Sequence, residues 1–195
     1  MESPCVHVVD DDDAVLVAIG RLLRASGLQV RTFASPQAFF AQHAAEDRGC
    51  LVLDLSMPGA SGLEVQEALA AEDCSLPVVF LSGHGDVASS VRAMKAGAVD
   101  FLTKPFEAEA LVAAVRQALD RDCVSARVAS LTPREREVLG HLVEGKLNKQ
   151  IAAALGASEK TIKVHRARVL QKMAARSIAA LVRMTERAGL KTAAQ

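Results

Sequence analysis

The sequence predicts an α/β domain on a five-stranded, doubly wound parallel sheet, followed by an all-α, four-helix domain with helix-turn-helix geometry. Three observations carry this. Short apolar runs alternate with amphipathic stretches through the first half, the pattern of right-handed strand–helix–strand crossovers. Carboxylates close two of those runs, Asp10 to Asp13 after the first and Asp54 after Leu51-Val52-Leu53. Charge then divides sharply. Residues 1–130 hold 18 acidic against 10 basic side chains, and residues 131–195 hold 5 against 13. A net charge of zero therefore hides an acidic module and a basic one, the second suited to a polyanion.

The strand-like runs are residues 6–9, 29–33, 50–53, 77–81 and 100–103. Between them, Val15-Ile19-Leu22-Leu23 and Val87-Val91-Met94 recur at helical spacing. Asp13 and Asp86 suit helix caps, and Gly27 and Gly97 suit helix ends. A fifth helix should begin after Pro105 and run through Leu111, Val115 and Leu119 to near Arg127. The expected division is a first domain over 1–122, a short linker over 123–131 and a second domain over 132–195.

Thr132-Pro133-Arg134-Glu135 combines a Thr cap, Pro at the first helical position and Glu at the third, a capping box with a Pro start. Four helices should follow: 133–143; 149–155, capped by Asn148 and stopped by Gly156; 159–173, capped by Ser158; and 178–188, capped by Ser177. The middle pair, joined by Gly156-Ala157-Ser158, forms the helix-turn-helix.

Composition excludes several classes. No stretch approaches the ~20 apolar residues of a membrane span, and Met1-Glu2-Ser3-Pro4 lacks the flank of a signal peptide, so a cytoplasmic location is expected. Cys5, Cys50, Cys74 and Cys123 show no metal-ligand spacing and read as free thiols in a reducing cytosol. There is no Trp or Tyr, and all six Phe lie in the acidic half. A basic half without Phe, Tyr or Trp is unsuited to single strands read by stacking. Duplex DNA needs no such platform.

Like charges gathered at strand ends repel unless a cation separates them, and open parallel sheets bind ligands at those ends. Asp10 and Asp11 are placed to hold Mg²⁺, which favours carboxylates, phosphate oxygens and water. Asp54 is the candidate nucleophile, able to become an acyl phosphate. Ser82 offers a hydroxyl at the end of the fourth strand, and Lys104 a cation at the end of the fifth. Together they can surround a phosphoryl group, whose transfer needs positioning and charge neutralisation above all.

In the basic half, Ile162, Val169 and Met173 share one face of the helix 159–173, which leaves a basic face outward. Such a helix fits the major groove. Lys163, Arg166 and Lys160 are expected to face outward, and Lys163, near the start of the helix, is placed to reach base edges. Lys149, Arg166, Arg168 and Lys172 suit phosphates.

Val8-Val9-Asp10-Asp11, Leu53-Asp54-Leu55-Ser56-Met57-Pro58, Leu81-Ser82-Gly83-His84 and the run from Met94 through Lys104-Pro105-Phe106 resemble the receiver domain of two-component response regulators. The resemblance covers residues 5 to 122. It implies that Asp54 accepts phosphate from a phosphohistidine on a sensor histidine kinase. It implies that Asp11, Asp54 and the Ser56 carbonyl ligate Mg²⁺ with Asp10 holding the acidic pocket, and that Lys104–Pro105 is cis. Ser82 and Phe101 match the switch pair of the family. Phe101 stands where Tyr is frequent, so an apolar in/out switch is expected.

Leu131–Leu139, Asn148-Lys149-Gln150-Ile151-Ala152 and Thr161-Ile162-Lys163-Val164-His165-Arg166 resemble the output domain of NarL/FixJ (LuxR-type) regulators, with the FixJ branch most similar. Base readers of the family map to Lys163 and Val164; a third position carries Ala167, too short for a hydrogen bond. The resemblance implies a phosphorylation-activated transcription regulator that dimerises when phosphorylated and binds promoter DNA, with RNA polymerase as a further expected partner. Its only catalysis would be Mg²⁺-dependent self-phosphorylation from a phosphodonor and self-dephosphorylation. The rival reading, a stand-alone aspartate-nucleophile phosphatase, needs an acid two residues after the nucleophile, where this chain has Ser56.

Overall fold

The computed structural model describes residues 4–44, 47–71, 74, 76–83 and 87–189. Its contacts divide the chain into two units, between Asp122 and Cys123.

In the first unit, β1 (Cys5–Val9), β2 (Gln29–Phe33), β3 (Gly49–Asp54), β4 (Val78–Ser82) and β5 (Asp100–Thr103) form one parallel sheet in the order β2-β1-β3-β4-β5. The order reverses direction at β1 and β3, and a crevice opens where the connections leave in opposite senses. Both strands end there in carboxylates. Side chains alternate between two cores because strand residues point to opposite faces. Leu51, Leu53 and Phe80 join α2 (Pro36–Phe40), α3 (Gly62–Ala71) and α4 (Val87–Lys95). Val6, Val8, Val52 and Val79 join α1 (Asp13–Ala25) and α5 (Ala108–Ala129).

The five strands lie where the apolar runs place them, within a residue at each end. Other details differ. Asp13 is the first residue of α1 and not its cap: Asp12 caps, accepting from the amides of Ala14 at 2.8 Å and Val15 at 3.3 Å. Asp86 lies outside the described residues. A hairpin, Ser56–Met57 against Ala60–Ser61, occupies the turn after β3. Residues 123–131, expected as linker, are helical to Ala129, and Val124 and Leu131 are buried in the second core.

The second unit contains α6 (Pro133–Val143), α7 (Asn148–Leu155), α8 (Glu159–Lys172) and α9 (Ile178–Arg187). Thr132 and Glu135 make the reciprocal capping box, and Ser158 and Ser177 cap α8 and α9. Asn148 does not cap α7: it is the first helical residue, and the free Leu147 amide is taken by Gln150 Oε1 at 2.8 Å. Gly156 ends α7 in the left-handed conformation, φ 60°, which a side chain would disfavour.

One buried group makes the first unit acid-sensitive. His7 is 1% exposed and packs among Phe33, Phe39 and His43. Burial pulls its pKa down to about 4, against a weaker opposing pull from Asp47 and with small contributions from His43 and Arg31 in the same direction as burial. Above pH 6.5 both folded and unfolded chains hold a neutral ring. Between about 6.5 and about 4 the unfolded chain alone binds the proton, so stability falls as pH falls. The loss by pH 4.5 should be on the order of 2–3 kcal/mol. Urea unfolding at pH 7 and 4.5 should show His7→Phe losing less stability than wild type by that amount. Equal losses would remove His7 from the acid limb.

Candidate functional site

Register brings the acidic residues together. Val9 pairs with Leu53, so the next residues, Asp10 and Asp54, leave adjacent strands at the same end. Leu81 is opposite Asp54, and Ser82 pairs with Thr103, which sets Lys104 one residue further along. Asp10, Asp54 and Ser82 are buried, at 1%, 5% and 1% exposure. Lys104 Nζ donates to Asp10 Oδ2 and to Asp54 Oδ1, each at 2.6 Å. The remaining carboxylate oxygens accept from the backbone: Asp10 Oδ1 from the Asp12 amide at 3.0 Å, Asp54 Oδ2 from the Ser56 amide at 2.8 Å. Asp11 is exposed at the rim. The Lys104–Pro105 bond is cis, as the resemblance implies.

Charge explains why the arrangement holds. Burial raises the pKa of Asp10, opposed by the hydrogen bonds from Lys104 and the Asp12 amide. Burial also works against the Lys104 cation, yet its hydrogen bonds to both carboxylates prevail and raise its pKa above the ordinary lysine value. The ammonium is a built-in counter-ion for two carboxylates that would otherwise repel. The oxygen donors suit a hard cation such as Mg²⁺, although among the described residues no three acidic, His or Cys side chains are gathered into a ready-made metal group.

Phe101 is half-buried on the edge strand β5, its ring 6.5 Å from that of Phe80. Beside Lys104 an apolar cleft of about 330 Å³ is lined by Val15, Ile19, Leu22, Pro105 and Phe106. Sequence reasoning missed Gly62. A Cβ there would lie 2.6 Å from the Asp54 carbonyl oxygen and 3.0 Å from the Phe80 ring, so the start of α3 can approach the acidic pocket only without a side chain.

In the second unit, Ile162 and Val169 are buried on one face of α8, as their spacing requires, and Met173, the C-cap just past the helix, is buried with them. Lys160, Lys163, Val164, Ala167, Arg168 and Gln171 are exposed on the opposite face. Gln171 was not nominated, though it follows Val164 by seven residues and so shares its stripe. Lys149 is exposed near the start of α7. Arg166 stands aside from the stripe, half-buried, with Nη1 3.2 Å from Asn148 Oδ1. Lys172 also stands apart: its Nζ lies 2.6 Å from the buried Glu135 Oε2 and 3.1 Å from the Ser130 carbonyl. The hydrogen bonds from Lys172 and the Thr132 amide hold the Glu135 carboxyl down to about 2. Lys172 therefore braces α8 against α6.

Comparison with known proteins agrees with this anatomy. Residues 6–116 match the response regulator receiver domain, and residues 129–185 match the luxR family of bacterial regulatory proteins. The transcriptional regulatory protein FixJ of Azorhizobium caulinodans is 47% identical over 98% of this chain and 96% of its own length. The response regulator protein TmoT of Ectopseudomonas mendocina is 45% identical over 95% of this chain and 90% of its own. Among solved structures, the response regulator StyR is similar at 44% identity and a TM-score of 0.60, covering 95% of this chain and all of that one. Full-length FixJ from B. japonicum is similar at 41% identity and a TM-score of 0.55, covering 98% and 100%. The chain belongs to the two-component response regulators that join a receiver domain to a LuxR-type DNA-binding domain, and it is a transcription regulator of the FixJ kind.

Proposed function

We propose that Asp54 is the phosphoacceptor of this regulator, and that its phosphorylation by a sensor histidine kinase controls binding to promoter DNA. The observation that carries this is the Lys104 ammonium bound at 2.6 Å to both Asp10 and Asp54 at the reversal point of the sheet. An oxygen of Asp54 attacks phosphorus, the bond from phosphorus to the donor imidazole breaks, and an acyl phosphate forms. Asp10, Asp11, Asp54 and the Ser56 carbonyl would hold Mg²⁺, which when bound neutralises phosphoryl oxygens. Lys104 and the Ser82 hydroxyl take the remaining oxygens. Water later hydrolyses the acyl phosphate and resets the receiver. The cleft beside Lys104 gives a kinase apolar surface next to the acceptor.

Ser82, Phe101 and Pro105 make up the switch. Movement of Ser82 toward the phosphoryl group draws the half-buried Phe101 ring inward and shifts the population of the face formed by α4 and β5. Val87, Val91 and Met94 of α4 are exposed on the receiver, and pairing of that face with a second chain makes the homodimer. Residues 1–122 form the receiver and 132–195 the DNA-binding domain. The dimer then contacts RNA polymerase from promoter DNA, in the cytoplasm; no described helix is long and apolar enough to cross a membrane.

On DNA, Lys160, Lys163 and Val164 of α8 meet base edges, and Lys149, Arg166 and Arg168 meet phosphates. Lys172 joins them by exchanging Glu135 for a phosphate. The test is selection of bound sites from random duplex DNA, with and without a phosphodonor and Mg²⁺, followed by titration at several salt concentrations. Lys163→Ala should narrow the gap between the selected site and a scrambled one by ~1–3 kcal/mol. Arg168→Ala should leave the gap and lower the salt slope by about 1. If Lys163→Ala weakens both sites equally, Lys163 grips backbone and is not the reader. Site selection indifferent to the phosphodonor would sink the phosphorylation-controlled reading.

A further inference from the structure

A second cluster of reactive groups sits away from the acceptor pocket. His43 Nε2 lies 3.2 Å from Cys74 Sγ. Its Nδ1 lies 3.3 Å from Asp47 Oδ2, within ion-pair range though off the line of a hydrogen bond. The His43 ring stacks on Phe39 with centroids 4.8 Å apart, which fixes its orientation. Thiol, imidazole and carboxylate stand in the order of a nucleophile, its base and the group that orients the base.

An independent observation shows polar room beside the cluster. His7 meets His43 edge-on at 6.0 Å, and neither nitrogen of this buried ring has a hydrogen-bond partner among the described residues. His7 and Asp47 both line a cavity of about 450 Å³, shared with Cys5 and Arg31, at the amino-terminal end of the sheet. The His7 ring is thus a buried polar group with unmet hydrogen-bonding capacity at the edge of the cluster, the kind of demand that a small polar molecule fills. Asp10 and Asp54 lie at the opposite strand ends, so the phosphoryl chemistry does not use it.

We propose that Cys74 is an oxidisable modification site whose thiol gives its proton to His43 and reacts with a small hydroperoxide. The thiolate sulfur attacks the terminal peroxide oxygen, a sulfur–oxygen bond forms and the oxygen–oxygen bond breaks. Sulfur is oxidised by two electrons to the sulfenic acid, the peroxide is reduced, and the departing alkoxide or hydroxide takes the proton held on His43. Cys50 lacks this chemistry: it is fully buried, and burial pushes its thiol well above the ordinary range. Burial raises the Cys5 thiol too. At 9% exposure Cys74 belongs to the core that includes Leu69 and Leu76, so access to it is narrow and selects small oxidants.

The full-length protein should be treated with graded hydrogen peroxide and a sulfenic-acid trap, and the modified peptide mapped by mass spectrometry. Cys74 should be trapped and Cys50 protected. The pH dependence of iodoacetamide alkylation at Cys74 separates activation from access. His43→Gln should raise its midpoint by at least about one unit. Near pH 7 it should slow the reaction roughly threefold, the higher nucleophilicity of a less acidic thiol offsetting part of the loss. Asp47→Asn should move the midpoint the same way by less. Continued protection of Cys50 shows that a variant is folded; where His43→Gln exposes Cys50, the Asp47→Asn midpoint decides. An unmoved midpoint in the folded variants, or trapping at Cys5 or Cys123 without Cys74, overturns the proposal.

Discussion

Asp54→Asn should end phosphate incorporation from a small acyl phosphate in the presence of Mg²⁺, a loss of at least about a hundredfold. The substitution keeps the shape of the side chain, and its amide oxygen can still accept from the Ser56 amide now bonded at 2.8 Å. What it removes is the carboxylate oxygen proposed to become the acyl phosphate. It also removes one of the two charges held by Lys104, while Asp10 continues to hold the other. The variant should therefore fold, which unfolding by urea checks, and remain unlabelled. Equal labelling of wild type and variant, after proteolytic mapping, would move the acceptor elsewhere. Lys104→Ala is the companion experiment. It should still incorporate phosphate, more slowly, and fail to dimerise, because the cation proposed to read the new phosphoryl group is gone. Normal dimerisation of the phosphorylated variant would take Lys104 out of the switch.

The second large effect is structural. Gly49 opens β3 at φ +141°, and a Cβ there would fall 1.8 Å from the Cys5 carbonyl oxygen of the neighbouring strand. The obstacle is backbone that itself pairs with Gly49, so it cannot move without breaking the β1–β3 register. Gly49→Ala should cost at least about 3 kcal/mol, combining backbone strain with overpacking. Gly59→Ala is the control. Gly59 also has positive φ, +84°, but no atom lies within 4 Å of an added Cβ. It should cost only about 1 kcal/mol. Equal losses in urea midpoints would show that φ alone, not the approach of β1, dictates glycine at position 49.

The acidic pocket was legible because sheet logic is regular. Residues at the carboxyl ends of parallel strands meet at one edge whatever their separation in the chain, so Asp10 and Lys104 could be joined across 94 positions. The same regularity gave no boundary for the short α2, and it allowed Asp13 to be taken as a cap when its neighbour Asp12 was equally suited. Lys172 is the instructive case. Its charge and its helix point to phosphate, but its partner Glu135 lies 37 residues away on α6, and only helix packing shows that the cation is already engaged. Gly62 was silent for a similar reason: a missing side chain leaves no pattern until the Asp54 backbone is seen against it. Cys74, His43 and Asp47 share no motif spacing, and free thiols were all that composition allowed.

The confinement of the phenyl rings to the receiver has an optical consequence. With neither Trp nor Tyr in the chain, protein and bound duplex do not compete in the near ultraviolet, and the background emission is dark. Phe101 is half-buried at the sheet edge with Phe80 as its ring neighbour, a position where an indole would sense the change. Phe101→Trp would place the sole long-wavelength fluorophore of the molecule at that edge. Its emission colour would follow the wetting of one side chain, so inward and outward populations could be timed in solution without an attached dye.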